Sequence, residues 1–408
     1  MKLSRVVAAL LLGGVVLTGC STVKEELKPV QLEPIQAQYR FVTAWSTDTG
    51  PGLDARYARL QPALLDGILY TAATKGEIAA WNAATGKRLW RHKYKTALGS
   101  GVGVAAGRGL VGTLDGRVLA FELATGKPLW EARTSSEVMA TPQGNNEVVV
   151  TQAIDGRVFA FDINDGRPLW NYDHPVPVLS LRSNAAPLIS GNSVLVGFDN
   201  GQMLSFDVEN GQLRWSVRVG QPQGKTELER LVDVDAAPLE YGPYIYGAGY
   251  NSRLVAITKG TGRIGWAQDV STAQNLAAAN NKILVSEANS HIKAFDALTG
   301  SLLWENDKLH RRGISAPAVY GDMVVVMDSF GYVHGLSLET GEVVARTRIG
   351  EKPSYAQPLV RDDTLYLWDK GGVLTALTTE IMDQNWTIWD MPTNRAKGAI
   401  PTKHTGIP

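Results

Sequence analysis

The sequence has little cysteine, little histidine and no net charge, and each shortage excludes a class of function. Cys20 is the single cysteine among 408 residues, so no disulfide can form within the chain. The 40 basic and 40 acidic residues cancel, which argues against nucleic acid as a partner because binding it needs a basic surface. The six histidines show no metal-ligand spacing, and no phosphate loop or nucleophile elbow occurs. We therefore expect no catalytic residue, no metal and no cofactor.

The sequence also lacks an apolar run long enough to cross a bilayer as a helix, which takes roughly 20 residues. The longest run, Val6–Leu17, follows the basic residues Lys2 and Arg5 and ends at Leu17-Thr18-Gly19-Cys20. This order is typical of an export signal that ends in a lipobox, so we predict a signal peptide over residues 1–19 and lipidation of Cys20. The alternative is an ordinary signal peptide with a chance cysteine at its end.

The residues after Cys20 indicate where the protein is anchored. Ser21 stands where an aspartate would retain a lipoprotein in the inner membrane, so we expect the outer membrane, with the folded body on its periplasmic face. More than one acyl chain makes such anchoring stable, because a single chain holds only marginally. Residues 20–38 carry Pro29 and Pro34 among polar residues without a period, which predicts a lipidated tether.

A short motif recurs about every 40 residues along the rest of the chain. It reads Asp115-Gly-Arg-Val-Leu-Ala-Phe-Glu-Leu-Ala-Thr-Gly-Lys-Pro-Leu-Trp130, and a close copy ends at Trp170. Looser copies end at Trp90, Trp215, Trp266 and Trp304, the seventh copy has Ala345 in place of tryptophan, and the eighth stops near Leu377. The turn glycines of the first seven copies are spaced by 40, 40, 45, 51, 38 and 41 residues and are Gly86, Gly126, Gly166, Gly211, Gly262, Gly300 and Gly341. A period near 42 is typical of the four-stranded blades of a β-propeller.

Each copy contains the parts of one blade. A proline marks the opening strand, and a β-rich strand such as Met323–Met327 follows. An Asp-Gly or Asn-Gly pair then favours a tight hairpin, because both residues tolerate positive φ. An alternating strand such as Val118–Phe121 leads through a Thr-Gly turn to a final strand with tryptophan. One tryptophan per blade predicts packing between neighbouring blades, whereas an aromatic ligand cage would need several tryptophans at one point.

The first and last copies complement each other. Phe41–Trp45 is a final strand with no blade before it, and the eighth copy lacks its final strand. We therefore predict that residues 40–47 supply the outer strand of the last blade and close the ring. The expected fold is all-β, an eight-bladed β-propeller of four-stranded antiparallel blades over residues 39–378. Residues 379–408 form a C-terminal extension whose order the sequence leaves open.

The repeat Ala-Phe-Asp-x-x-Thr-Gly-x-x-x-Trp resembles the tryptophan-docking repeat of pyrroloquinoline-quinone dehydrogenases, which are eight-bladed propellers. Those enzymes use a vicinal disulfide, calcium and a catalytic aspartate, and the single cysteine excludes the disulfide. With its lipobox, short tether and compact blades, the chain resembles the BamB family of lipoproteins from residue 1 to about 378. The resemblance implies a non-enzymatic scaffold of the outer-membrane β-barrel assembly machinery that binds the periplasmic domains of BamA, with unfolded outer-membrane proteins as further candidate partners.

Two segments match the loops that contact BamA in that family, Leu179–Pro187 and Leu231–Pro238. The resemblance places the contacts on Leu179, Leu181, Arg182, Asp233 and Asp235. Apolar side chains beside opposite charges suit a protein partner, with apolar anchors and a polar rim. The alternative is that Arg182 pairs with Asp233 or Asp235 inside the molecule, which is compatible with binding.

Connection lengths lead to the same two segments without the family. Counted from a tryptophan to the next strand-opening proline, the distance is 17 residues to Pro187 and 23 to Pro238, but 12 to Pro142 and 13 to Pro317. Extra loop length on one sector of a rigid scaffold is where binding residues concentrate. The segment from Trp45 to Pro62 is also long, so we expect a third loop at the border of the same face. The competing hypothesis is a periplasmic quinoprotein-like enzyme or small-ligand receptor that uses the central channel.

Overall fold

The computed structural model describes residues 28–50, 52, 60–175, 177, 185–222, 225–226, 231–354 and 356–382. The predicted signal peptide, Cys20 and most of the C-terminal extension lie outside these residues. Among the described residues, the strands form eight four-stranded antiparallel sheets. The sheets follow one another as the blades of an eight-bladed β-propeller, which confirms the predicted fold class. No helix in the described part of the chain has the length and apolar character to cross a membrane.

The two inner strands of each blade surround the central channel. In blades 1 to 8 the innermost strands are β2 (Ala63–Leu65), β6 (Gly103–Ala105), β10 (Gln143–Gly144), β14 (Leu188–Ser190), β18 (Leu239–Tyr241), β22 (Ala277–Ala279), β26 (Ala318–Tyr320) and β30 (Leu359–Arg361). The second strands are β3 (Ile68–Ala73), β7 (Arg108–Gly112), β11 (Val148–Gln152), β15 (Ser193–Gly197), β19 (Tyr244–Gly247), β23 (Lys282–Ser286), β27 (Met323–Met327) and β31 (Thr364–Trp368).

The two outer strands of each blade complete the sheet. The third strands are β4 (Glu77–Asn82), β8 (Arg117–Glu122), β12 (Val158–Asp162), β16 (Gln202–Asp207), β20 (Ser252–Thr258), β24 (Ile292–Asp296), β28 (Tyr332–Ser337) and β32 (Val373–Ile381). The outermost strands are β5 (Arg88–Lys93), β9 (Pro128–Arg133), β13 (Pro168–Tyr172), β17 (Leu213–Arg218), β21 (Ile264–Val270), β25 (Leu302–Asn306), β29 (Val343–Arg348) and, in blade 8, β1 (Tyr39–Asp48).

The middle strands are buried on both faces. Every residue of β27 is buried, and so are Val118–Phe121 of β8, although the sequence alternates larger and smaller side chains there. A neighbouring blade covers each face of a blade, so apolar side chains are favoured at successive positions and not only at alternate ones. The core is therefore a series of apolar clusters between adjacent blades.

The Asp-Gly pairs lie in hairpins between the second and third strands of a blade. Between β7 and β8 the turn contains Thr113–Gly116, and the Arg117 carbonyl accepts a hydrogen bond of 2.9 Å from the Thr113 amide. Only Gly116 has a positive φ, of 78°, and Asp115 does not. The carboxylate of Asp115 instead accepts hydrogen bonds from the Thr113 hydroxyl and the Arg117 guanidinium. The predicted hairpin is confirmed, and within its Asp-Gly pair only the glycine adopts a positive φ.

The tryptophans join neighbouring blades, as predicted. The Trp130 indole Nε1 donates to the Ile163 carbonyl of the next blade at 2.9 Å. Its ring lies against Gly166, where an added Cβ would be 2.5 Å from Trp130 Cε3. Gly166 also has a φ of 74°, so glycine is required there both by conformation and by the close approach of the ring. Equivalent indole-to-carbonyl bonds are made by Trp45, Trp90, Trp170, Trp266 and Trp304.

The N-terminal strand closes the ring, as predicted. Strand β1 pairs antiparallel with β32 from Tyr39–Ile381 to Asp48–Val373, with a bulge between Thr43 and Trp45. In blade 8 no turn links β32 to the outermost strand, so blade 7 has no turn glycine to pack against. This explains Ala345 at the tryptophan position of blade 7, where Phe41 of β1 fills the space in the same apolar cluster.

The first described residues, 28–38, lie against the propeller. The Val30 amide donates to the His310 carbonyl at 3.2 Å, and the Gln38 amide to the Val344 carbonyl at 2.8 Å. Leu32 packs on the apolar cluster between blades 6 and 7. This part of the predicted tether is therefore not a free spacer but is attached to the folded body.

Candidate partner-binding site

Both predicted binding segments are connections between blades at one end of the ring. The chain enters each innermost strand at the end where it leaves the preceding outermost strand, and this end also carries the hairpins between second and third strands. We call this end the connection face. Residues 173–187 join blades 3 and 4, and residues 219–238 join blades 4 and 5. They contain 15 and 20 residues, against 6 to 14 in the other six connections. The two longest connections are therefore adjacent.

The structure describes two of the five predicted binding residues. Leu179, Leu181 and Arg182 lie outside the described residues, and so does any ion pair of Arg182 with the aspartates. Asp233 and Asp235 are buried, with 0% and 6% of their surface exposed. The sequence analysis proposed both aspartates as direct contacts on a loop, but their side chains are buried.

Backbone contacts with both flanking blades explain the burial of Asp233. Its amide donates to the Tyr250 carbonyl of blade 5 at 3.3 Å, and the next amide, that of Val234, donates to the Phe198 carbonyl of blade 4 at 3.3 Å. Gly249 allows this approach, because any side chain there would overlap the Asp233 carbonyl. Asp233 and Val234 therefore lie between the hairpin of blade 4 that contains Phe198 and the hairpin of blade 5 that contains Tyr250.

Three carboxyl groups come together at this point. Asp199, on the hairpin between β15 and β16, is 7% exposed and lies beside Asp233. Burial, followed by repulsion from Asp235 and Asp199, raises the pKa of Asp233 to about 10. This shift favours the protonated, uncharged form of Asp233. A neutral Asp233 fits a structural role beneath the connection better than that of an exposed charge.

The hairpin Phe198–Gly201 holds both connections. Asn200 Nδ2 donates to His174 Nε2 at 2.7 Å, and the His174 ring lies 4.1 Å from the Phe198 ring, which fixes the start of connection 173–187. Burial lowers the pKa of His174, which keeps this ring nitrogen free to accept. On the other side, the Gly220 amide of connection 219–238 donates to the Gly201 carbonyl at 3.0 Å. Sequence analysis missed His174 and Asn200, because it interpreted the first as structural and the second as a turn residue.

Asp235 also lines a cavity of about 300 Å³ at the mouth of the central channel. The wall is rich in amide side chains, among them Asn275, Gln61 and Gln357. Gln61 Nε2 donates to the Gln357 carbonyl and Gln61 Oε1 accepts from the Gln357 amide, both at 2.8 Å. These amides bind each other and the backbone, and so hold blades 1 and 8 together at the channel. The single cysteine of the chain also excludes the vicinal disulfide of the competing hypothesis at this wall.

One group of described residues has metal-like spacing. Ligand atoms of Glu287, His291 and Glu305 lie within 4.8 Å of one another. Lys293 Nζ is 3.0 Å from Glu287, and His291 Nε2 is 3.0 Å from His310 Nδ1. An ammonium group and a second imidazole thus already contact these ligands, so the group is a cluster of mutually satisfied charges.

Comparison with known proteins identifies the family. A family profile described as outer membrane protein assembly factor BamB matches residues 74–292 and 288–402. The outer membrane protein assembly factor BamB of Pseudomonas aeruginosa is 44% identical over 372 residues, which cover 91% of this chain and 98% of the relative. The crystal structure of BamB from Moraxella catarrhalis superposes with a TM-score of 0.76 at 26% identity, over 83% of this chain and 99% of that one.

The enzymes of similar fold are more distant. A quinohemoprotein alcohol dehydrogenase from Comamonas testosteroni has a TM-score of 0.66 at 13% identity, over 83% of this chain and 76% of that one, which shows the shared fold alone. The close relatives carry the name of an assembly factor and not of an enzyme, in agreement with the prediction of a non-enzymatic protein. The chain belongs to the outer membrane protein assembly factor BamB family.

Proposed function

We propose that this protein is a lipid-anchored scaffold on the periplasmic face of the outer membrane, which binds the periplasmic domains of BamA and assists the insertion of outer-membrane β-barrel proteins. Membership of the BamB family makes it an assembly factor of the outer membrane. The binding partner, the lipid anchor at Cys20 and the contact residues are the parts that we add.

The observation that carries the proposal is the pair of long connections held by one hairpin. Residues 173–187 and 219–238 flank blade 4 on the connection face, and Phe198–Gly201 bonds to both. A rigid base reduces the conformational entropy that loops lose on binding, so the two connections can act as one surface. Leu179, Leu181 and Arg182 belong to this surface as proposed contacts, whereas Asp233 and Asp235 support it from below.

The test uses charge reversal within connection 173–187. Arg182→Glu should abolish co-purification of BamA with the full-length protein from solubilised outer membranes, because a reversed charge leaves the partner's group unpaired. The matched control is Arg133→Glu, an exposed arginine on the outermost strand of blade 2, which should retain BamA. Thermal unfolding of both variants has to match that of the original protein.

Each result decides the proposal. Loss of BamA in Arg182→Glu alone, with unchanged thermal unfolding, supports the proposed surface. Retention of BamA by Arg182→Glu and by Leu179→Ser/Leu181→Ser would reject connection 173–187 as the interface.

A further inference from the structure

The N-terminal segment runs over the propeller before it enters β1. Its amide at Val30 bonds to His310, which belongs to the connection between blades 6 and 7, and its amide at Gln38 bonds to Val344 of β29. Between these points Leu32 packs on the apolar cluster of blades 6 and 7. Residues 28–38, which we call the strap, therefore start at the connection face and continue along the rim of blade 7.

Two buried arginines hold the strap. Arg312 Nη1 donates to the Val30 carbonyl at 3.0 Å, and Arg346 Nη1 donates to the Glu33 carbonyl at 2.6 Å. The arginines are only 7% and 8% exposed, so these charge-assisted bonds are shielded from water. Because the bonds go to backbone carbonyls, they fix the path of the strap and not just one side chain.

A buried aspartate and histidine orient the arginines. Asp328 Oδ2 accepts from Arg312 Nε at 2.7 Å and lies 3.0 Å from His334 Nε2. His334 Nδ1 accepts from Arg346 Nε at 3.2 Å, so His334 carries its proton on Nε2 and is neutral. Burial lowers the pKa of His334, in agreement with that state. The four side chains form one continuous network, and we call it the clamp.

The clamp limits the distance between Cys20 and the propeller. From Cys20 to Val30 the chain has ten residues, which can span at most about 35 Å in any conformation. If the whole strap came away from the propeller, the first residue held by strand pairing would be Tyr39, and nineteen residues could span about 65 Å. The shorter reach also begins at one place, between blades 6 and 7 on the connection face.

We propose that the strap and clamp set the orientation of the propeller on the membrane, with the sector of the connection face between blades 6 and 7 nearest to the bilayer. The inference rests on the proposed lipidation of Cys20. It places the two long connections on the face from which the lipidated N-terminus leaves, two and three blades away from the start of the strap. The connection face is then the side of the propeller that meets a partner embedded in the membrane.

The test measures which side of the propeller is close to lipid. A single fluorophore is attached at Lys308→Cys beside the strap, at Ser135→Cys across the connection face between blades 2 and 3, or at Thr340→Cys on the opposite end of blade 7. The full-length lipidated protein is reconstituted in vesicles of phosphatidylethanolamine and phosphatidylglycerol with an energy acceptor on the headgroups. Cys20 is not labelled because its thiol carries the lipid.

We expect energy transfer to be at least about twofold more efficient from position 308 than from 135 or 340, since the free chain reaches only about 35 Å from the strap. Ten Gly-Ser residues inserted before Lys28 should abolish this difference while leaving the clamp intact. Arg312→Met/Arg346→Met should abolish it as well, whereas Arg348→Met, at an exposed arginine whose Nε donates to the Phe330 carbonyl, should preserve it.

Two failures are distinguishable. If the protein does not float with the vesicles, the lipid anchor is absent and the anchored scaffold is rejected together with the orientation. If it floats but the three positions transfer energy equally, the lipid anchor stands and the fixed orientation is rejected.

Discussion

At the scale of single residues, the protein depends on one contact that is repeated around the ring. Six indoles each cover a turn glycine of the next blade and donate to the carbonyl three residues before it, as Trp130 does with Gly166 and Ile163. The indole ring buries apolar surface, and its N–H donates a directional hydrogen bond. Each pair therefore fixes both the distance and the rotation between two blades. Interactions of this kind should be additive between distant blades.

Replacement of one docking tryptophan measures this contact. Trp130→Ala should lower the free energy of unfolding by about 3–5 kcal/mol, because it leaves a cavity and an unpaired carbonyl between blades 2 and 3. Chemical denaturation followed by fluorescence gives the value. The neighbouring Leu129 is 49% exposed, so Leu129→Ala should change stability by less than about 1 kcal/mol. Equal effects of the two substitutions would contradict the docking role.

Asp233 should make stability depend on pH. Its pKa is raised from 3.8 to about 10, so between these values the folded state binds more protons than the unfolded state. The contribution of Asp233 to the free energy of unfolding is therefore greatest below pH 4. It falls as the pH rises, by at most about 1.4 kcal/mol per pH unit. Asp233→Asn should match the original protein at pH 4 and exceed it in stability at pH 8.

Denaturation at both pH values tests this. Asp155→Asn, on the hairpin between β11 and β12 of blade 3, is the matched control. A relative stability of Asp233→Asn that does not increase with pH would mean that Asp233 is ionised in the folded state.

At the scale of elements, the hairpin Phe198–Gly201 and the strand β1 have the largest consequences. The hairpin is ordinary in length, but it lies between the two longest connections and bonds to each. Strand β1 is far from β32 in sequence and yet supplies the outer edge of its sheet. Both elements act through contacts between segments that are distant in the chain.

Loosening the hairpin should weaken binding without unfolding the protein. Asn200→Ala removes the bond to His174 at the start of connection 173–187, and one such bond contributes about 1 kcal/mol. We expect the dissociation constant for BamA periplasmic domains to rise roughly 3- to 10-fold. Asp155→Ala on the hairpin of blade 3 should leave it unchanged. Titration calorimetry with both variants checks this, and an unchanged constant for Asn200→Ala would contradict the supporting role.

Removal of the closing strand should prevent folding. A chain that begins at Thr49 loses Phe41 and Trp45 from the cores of blades 7, 8 and 1 and exposes the edge of β32. The combined loss of more than about 6 kcal/mol is comparable with the whole stability of a typical domain. A chain that begins at Lys28 is the control and should melt cooperatively as a monomer. Cooperative melting of the shorter chain at a similar temperature would show that β1 does not close the ring.

At the scale of the whole molecule, eight blades form a ring whose central channel is occupied at its mouth by amide side chains. In that region Gln61 and Gln357 satisfy each other and link the first blade to the last. The ring therefore serves as a rigid support for the connection face, on which both the candidate binding site and the start of the strap lie. This shared face is the feature that relates anchoring to binding.

The thermal stability of the protein should not depend on the ligands of the quinone enzymes. Calcium or pyrroloquinoline quinone at millimolar concentration should leave the midpoint of thermal unfolding unchanged, as should a chelator. A ligand present at 100 times its dissociation constant would add about 2.7 kcal/mol to the stability of the folded state, which scanning calorimetry detects easily. Such stabilisation, with a bound quinone visible by absorbance, would favour the enzymatic alternative.

The sequence by itself determined the architecture, because its signals are local and repeated. The spacing of Gly126 and Gly166, the tryptophans and the unmatched strand around Trp45 predict eight blades and their closure, and the structure confirms each. The family resemblance could also be read from these residues. Repetition supports this prediction, because a motif that is weak in one copy can be recognised from the other seven.

Only the tertiary structure decided how the candidate site is built. The burial of Asp233, the bond between His174 and Asn200, and the attachment of residues 28–38 to blade 7 all join segments that are far apart in sequence. Arg346 and Glu33, for example, are separated by 313 residues. Their proximity arises from the closure of the ring, and no local pattern encodes such a distance. The repeat specifies the blades, but the environment of each charged side chain depends on what the closed ring places around it.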